Sequence, residues 1–145
     1  MTAVDPLSYS DTKLRGILST VRTIAMVGAS TNASRPSYHV MEYLQGRGYR
    51  VIPVNPGTAG KVLLGELVYP SLHDIPDKID MVDVFRASET VGPVVDDAIA
   101  IGARVIWMQL GVRNDEAAVK GEAAGLDVIM DRCPKIELGR LGNGA

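Results

Sequence analysis

Five short apolar runs set the strongest limit on how this chain can fold. They read TIAMVGA (residues 23–29), RVIPVNP (50–56), DMVDVF (80–85), RVIWMQL (104–110) and LDVIMD (126–131). Rich in Val, Ile and Met, they are too continuous for strands with one wet face, and they read as strands buried on both faces of a parallel sheet. Helical patterns alternate with them. Leu14, Ile17, Leu18 and Val21 recur at helical spacing behind Ser10 or Asp11, either of which can cap a first helix. Val40, Met41 and Leu44 mark a second helix, entered through Pro36 and Ser37 and stopped by Gly46 and Gly48. Val91, Val94, Val95, Ala98 and Ile99 make a third, between Ser88 and Gly102. Asn114 caps a fourth, DEAAVKGEAAG, whose Asp115 and Glu116 suit the positive end of a helix dipole.

Between the second and third runs, GTAGKVLLGELVYPSLHDIPD reads as a loop, a short extra strand near Leu67–Tyr69 and a helical turn around Leu72–Ile75. Strands alternating with helices of this length predict an α/β fold. The expected form is a Rossmann-like, doubly wound, mostly parallel sheet of about five strands with helices on both faces. The 145 residues read as a single domain that can bury a core without disulfides or metals, with residues 1–12 a partly ordered N-terminal extension. A net charge of -2 gives no general pull toward nucleic acid or anionic membrane, so an anion site would have to be local. The lone cysteine, Cys133, rules out an intrachain disulfide framework and suits a reducing cytoplasm. No apolar run approaches the ~20 residues of a transmembrane helix, and neither a leader nor a membrane partner is expected.

In open α/β sheets, ligands bind beyond the carboxyl ends of the strands, where the strand order reverses. That directs attention to the loops after residues 28, 54, 85 and 110. The first, in IAMVGASTNASRPSYHV, begins like a dinucleotide-binding loop but has Ser30 and Ala33 where the later fingerprint glycines would stand. Gly28 keeps the tight turn. Hydroxyls on Ser30, Thr31, Ser34 and Ser37, the Asn32 amide and the Arg35 guanidinium replace bare backbone, and Pro36 suits a first helical turn whose amides face an anion. A plain capped loop without ligand is the competing reading. The second strand ends Val54-Asn55-Pro56-Gly57, without the acid that usually holds a ribose 2′-OH in NAD sites. A ligand with a phosphate on its ribose fits that lack, and both NADP and coenzyme A qualify. Arg35 and Lys61 are candidate charge partners, although Lys61 reads equally well as a solvated loop residue.

Other chemistry is weaker. Cys133, in MDRCPK between Arg132 and Lys135 and beside a helix start at Pro134, is a candidate redox thiol that could form a mixed disulfide with a thiol-bearing cofactor. A buried structural cysteine is the simpler reading. Asp80 and Asp83 lie at and just inside a strand; Asp96 and Asp97 read as a solvated helix face. His39 and His73 read as a helix-face and a surface residue, with no triad partner expected near either. Trp107 reads as core, no residues have metal-ligand spacing, and no basic surface with interleaved aromatics points to nucleic acid.

Taken together, IAMVGAS…RPSYHVMEYLQGRGYRVIPVNP, GELVYPSLHDIP, DMVDVFRASE, AIAIGARVIWMQLGV and AGLDVIMDRCPKIE resemble the small stand-alone coenzyme A-binding proteins. Their fold is like the N-terminal domain of the succinyl-CoA synthetase alpha subunit. The resemblance spans about residues 14 to 141 in the same order, and RPSY, VNP, WMQLG and MDRC.K together make it specific. It implies coenzyme A or an acyl-CoA as ligand. Gly28, Ala29, Ser30, Arg35, Pro36 and Ser37 would then hold the diphosphate, and Asn55 and Pro56 would flank the adenosine. Phe85 and Arg86 would follow the third main strand along the ligand, while Gln109 and Gly111 would close the far side. Two departures stand out. The loop lysine expected after the second strand is deferred to Lys61, and the second domain with the phosphorylated histidine of the synthetase has no counterpart here, so binding is carried over and ligase chemistry is not. The alternatives are an NADP-dependent oxidoreductase, a CoA-ligase component lacking its partner subunit, or an interaction protein that docks an unidentified partner when liganded. Self-association is compatible with any of these.

Overall fold

The computed structural model describes residues 7–142; positions 1–6 of the expected N-terminal extension lie outside the described residues. Five parallel strands form the main sheet: β1 (Thr23–Val27), β2 (Arg50–Val54), β5 (Met81–Val84), β6 (Val105–Met108) and β7 (Asp127–Ile129). They stand in the order β2-β1-β5-β6-β7, and all the pairings are parallel. Each coincides with one of the continuous apolar runs. The chain steps from β1 outward to β2 and then crosses back to β5, so the strand order reverses between β1 and β5.

Helices cover both faces. On one side pack α1 (Asp11–Thr20), α2 (Pro36–Gly46) and α5 (Pro134–Leu141), whose Leu14, Met41 and Leu138 meet Ile24, Met26, Met81 and Trp107 of the sheet. On the other side pack α3 (Val91–Ala100) and α4 (Asp115–Ala123), against Ala25, Ile52, Val82 and Ile106. Alternate residues of one strand thus enter different cores, which explains why the runs are unbroken. The caps are those expected: the Ser10 hydroxyl accepts from the Lys13 N–H at 3.1 Å, and Asn114 Oδ1 accepts from the Ala117 N–H at 3.0 Å. Trp107 is fully buried and donates its indole N–H to the Arg132 carbonyl at 2.9 Å.

The segment between β2 and β5 differs from expectation. The extra strand is a separate antiparallel hairpin, β3 (Val62–Leu63) with β4 (Glu66–Leu67), and only Tyr69 joins the main sheet, by a parallel bridge to Val54. Leu64 and Gly65 make its turn with φ of 49° and 84°, the left-handed pair of a tight hairpin. The expected helical turn is a 3-10 turn at Leu72–Asp74. Among the described residues, no helix is long and apolar enough to cross a membrane, and no group of three or more His, Cys, Asp or Glu residues could hold a metal ion.

Candidate functional site

At the carboxyl ends of the central strands the ladder runs past the strands into the loops. Gly28 N–H donates to the Val54 carbonyl at 2.9 Å, Phe85 N–H to that of Val27 at 2.8 Å, and Gln109 N–H to that of Val84 at 3.2 Å. Gly28 has φ of 88°, and a Cβ there would lie 2.2 Å from the Phe85 carbonyl oxygen. Only glycine fits where the loop leaves β1 and passes over the end of β5.

That loop is held by its own polar side chains. Ser37 Oγ accepts from the Ser30 N–H at 3.1 Å, Ser30 Oγ from the Asn32 N–H at 3.0 Å, and Asn32 Oδ1 from the Ser34 N–H at 3.0 Å. Asn55, just past β2, ties it to the neighbouring loop: Nδ2 donates to the Ala29 carbonyl at 2.8 Å, and Oδ1 accepts from the Gly57 N–H at 2.9 Å. The loop ends at Arg35, the N-cap of α2, which makes no side-chain cap bond, with Pro36 in the first turn. An uncapped helix N-terminus with a guanidinium beside it is a ready anion site.

Two clefts flank the switch point. The first encloses about 340 Å³; Gly28, Ser30, Arg35, Pro36 and Ser37 form one wall, and Asn55 and Phe85 face them. The second, about 310 Å³, has mostly apolar walls that include Val27, Val54, Leu72 and Val94, with Pro56 and Arg86 at its side. Ala29 is 2% exposed and takes part through its carbonyl. Gln109 and Gly111 line neither cleft. Gln109 is 6% exposed, with Oε1 buried and without a hydrogen-bond partner, while Gly111 N–H donates to Asp131 Oδ1 at 2.7 Å. Lys61 is also on neither wall; its backbone closes the hairpin through Thr58 and Val68.

The second cleft contains groups that sequence reasoning missed. Asp97, read as part of a solvated face, lines it, and its Oδ1 lies 2.9 Å from His73 Nε2, from which it accepts when that nitrogen carries the proton. His73 therefore does have an acidic partner, brought to it across 24 residues of chain by the packing of the 3-10 turn on α3. Both side chains are about half exposed, and among the described residues the hydroxyls on that wall bond elsewhere, Ser71 to Asp74 and Thr90 to the Ala87 carbonyl. Cys133 is 5% exposed at the N-cap of α5. Its two cationic neighbours are engaged elsewhere: Arg132 with the Leu7 and Asp131 carbonyls, Lys135 over the Tyr43 ring.

Known proteins share this sequence pattern and this fold. Residues 22–139 match the model of a family described as a CoA binding domain. An uncharacterised protein of Bacillus subtilis (strain 168), YneT, is 39% identical over 127 residues, covering 88% of this chain and 93% of that protein. The structure of a hypothetical protein from Pyrococcus horikoshii OT3 is 42% identical, with a TM-score of 0.89 over 97% of this chain and 99% of its own. The ADP-forming acetate–CoA ligase II of Archaeoglobus fulgidus is 33% identical over 86 residues, 57% of this chain but 12% of that much longer protein. The chain belongs to the CoA-binding domain family.

Proposed function

We propose that the protein binds coenzyme A or an acyl-CoA across the two clefts and has no catalytic activity of its own. The carrying observation is the uncapped start of α2, which opens with Arg35 onto the same cleft as Gly28 at the point where strand order reverses. The diphosphate sits there, facing the open start of the helix, Arg35 and the loop hydroxyls. The adenosine fills the apolar second cleft beside Pro56. The acid-free Asn55-Pro56-Gly57 leaves room for a phosphate on the ribose, and the family supports coenzyme A over NADP. No assembled nucleophile and base, and no accessible activated thiol, gives this site a reaction to perform among the described residues. The ligand makes the protein a carrier or a sensor, for which a protein partner is the natural outlet.

Parallel calorimetric titrations with coenzyme A, NADP and NAD test this. Binding of coenzyme A alone is expected, and Arg35→Ala should weaken it about tenfold or more, the loss of a charge-assisted phosphate contact. Tight NADP binding with no response to coenzyme A overturns the reading. Unchanged affinity in the Arg35 variant removes that residue from the site.

A further inference from the structure

Most arginines of this protein are occupied. Arg50 pairs with Glu66 and Asp77, Arg104 with Asp80, and Arg140 with Glu137 and Asp11, while Arg132 holds backbone carbonyls. Among the described residues, Arg15, Arg22, Arg35 and Arg86 make no side-chain hydrogen bond and no ion pair, and of these four Arg35 and Arg86 flank the switch point, one on each cleft. Unpaired guanidinium groups on opposite sides of one crevice suit a ligand with two separate anionic centres.

The placement of Arg86 is specific. Its Cγ lies 3.2 Å from the position a Cβ on Gly28 would take, so its stem crosses the floor of the switch point. Among the described residues it is the only cationic one on the second cleft's wall. The one acid there, Asp97, is already bonded to His73. The hydroxyls on that wall are spent as well: Thr90 donates to the Ala87 carbonyl at 2.7 Å and Ser71 to Asp74 at 2.8 Å. A base lying against Val54, Leu72 and Val94 would place its ribose between the clefts, with the 5′-diphosphate toward α2 and the remaining ribose phosphate toward Arg86. Lys61, the sequence's other candidate for that phosphate, lies on neither wall.

We propose that Arg86 is the specificity-determining residue of the site: it binds the ribose 3′-phosphate, while Arg35 and the open end of α2 bind the diphosphate. This rests on the coenzyme A reading above and adds which group reads which phosphate. A guanidinium meets a phosphate dianion with two parallel N–H donors, so the discrimination should be large and carried by one side chain.

The test compares coenzyme A with 3′-dephospho-coenzyme A by calorimetry on the full chain and its Arg86→Ala, Arg86→Lys, Arg35→Ala and Lys61→Ala variants. The unsubstituted protein is expected to prefer coenzyme A by about tenfold or more, the range of a charge-assisted bidentate contact. Arg86→Ala should remove that preference by weakening coenzyme A alone, and Arg86→Lys should restore part of it. Arg35→Ala should weaken both ligands equally, and Lys61→Ala neither. Unfolding temperatures within a degree or two of the parent confirm that each variant is folded; Arg86 is exposed, and its removal leaves no buried group unpaired. Preference retained in Arg86→Ala, equal weakening of both ligands by it, or no discrimination in the unsubstituted protein each overturns the assignment to Arg86. If the unsubstituted protein binds neither compound, the coenzyme A reading itself fails, a result distinct from the others.

Discussion

Asp80 and Asp83 stand three positions apart on one segment, and the protein treats their carboxyl groups in opposite ways. Asp83 lies in the core between Met26 and Trp107 of the adjacent strands; it is 0% exposed and neither oxygen has a partner. Burial pushes its carboxyl well above the usual range, so it is held neutral. The unfolded chain ionises above pH ~4, so Asp83 costs stability progressively as pH rises toward its folded value. At Asp80, desolvation also pushes upward, but the N–H groups of Thr23 and Arg22, each 3.0 Å from Oδ2, together with Arg104 and Lys78 outweigh it, and the carboxyl is lowered. Its contribution is present above the unfolded value and is lost as pH falls through the folded one. Asp83→Asn, which cannot ionise, should therefore gain on the parent as pH rises from 4 to 8. Asp80→Ala should lose about 1–3 kcal/mol at pH 7, the cost of leaving backbone donors without their charged acceptor, and less as pH falls through the lowered folded value of Asp80. Urea midpoints across that range decide both; parallel profiles for Asp83→Asn and the parent would remove the neutral-acid account. Sequence alone shows two acids in a strand. What separates them is which neighbours the sheet supplies.

Elements with strong periodicity were legible because burial imposes a period that side chains must obey. The five strands enter two cores with alternate residues, and α1 to α4 each present an apolar stripe. The β3–β4 hairpin escaped because its turn places Leu64, a residue that carries no turn signal, at positive φ. Only the start of α5 was marked, by Pro134, because its eight residues include few apolar positions and depend on tertiary contact with α1 and α2. The tie between the loops after β1 and β2 was half legible: Asn55 was a candidate, but its grip on the Ala29 carbonyl is visible only once the strands are paired. That grip makes Asn55 a positioning residue for the loop after β1. Asn55→Ala removes both of its side-chain bonds, and losing the partly buried one to Ala29 should by itself weaken coenzyme A about tenfold, about 1.4 kcal/mol. Asn55→Asp keeps the acceptor for Gly57 but loses the donor and adds a negative charge beside the diphosphate. Its affinity should fall further, and the extra deficit should shrink with added salt as the repulsion is screened. A deficit indifferent to salt would mean that geometry alone sets the preference for an amide here.

The whole molecule is polarised along its strands, because a fully parallel sheet puts every strand-to-helix loop at one end. The opposite end is locked by charge: Asp80 grips the start of β1 and pairs with Arg104, while Arg50 at the start of β2 reaches both Glu66 and Asp77. The carboxyl end is closed mainly by short bonds within its own loops, and the clefts open there. Four loops were candidates from sequence. Strand order, a non-local property, singles out those after β1, β2 and β5, whereas Gln109 and Gly111 after β6 line neither cleft. Ligand binding should therefore be felt unevenly. At a coenzyme A concentration of 100 times Kd the protein should gain about 2.7 kcal/mol of stability by mass action. Native-state hydrogen exchange should locate that gain: amides in residues 28–37, 55–58 and 85–90 slow markedly, those in 47–50 and 78–81 scarcely at all. The loop at 109–112 is the informative control. Protection there equal to that at 28–37 would mean the ligand reaches across β6 as well, and the site would extend beyond the two clefts at the β1–β5 switch point.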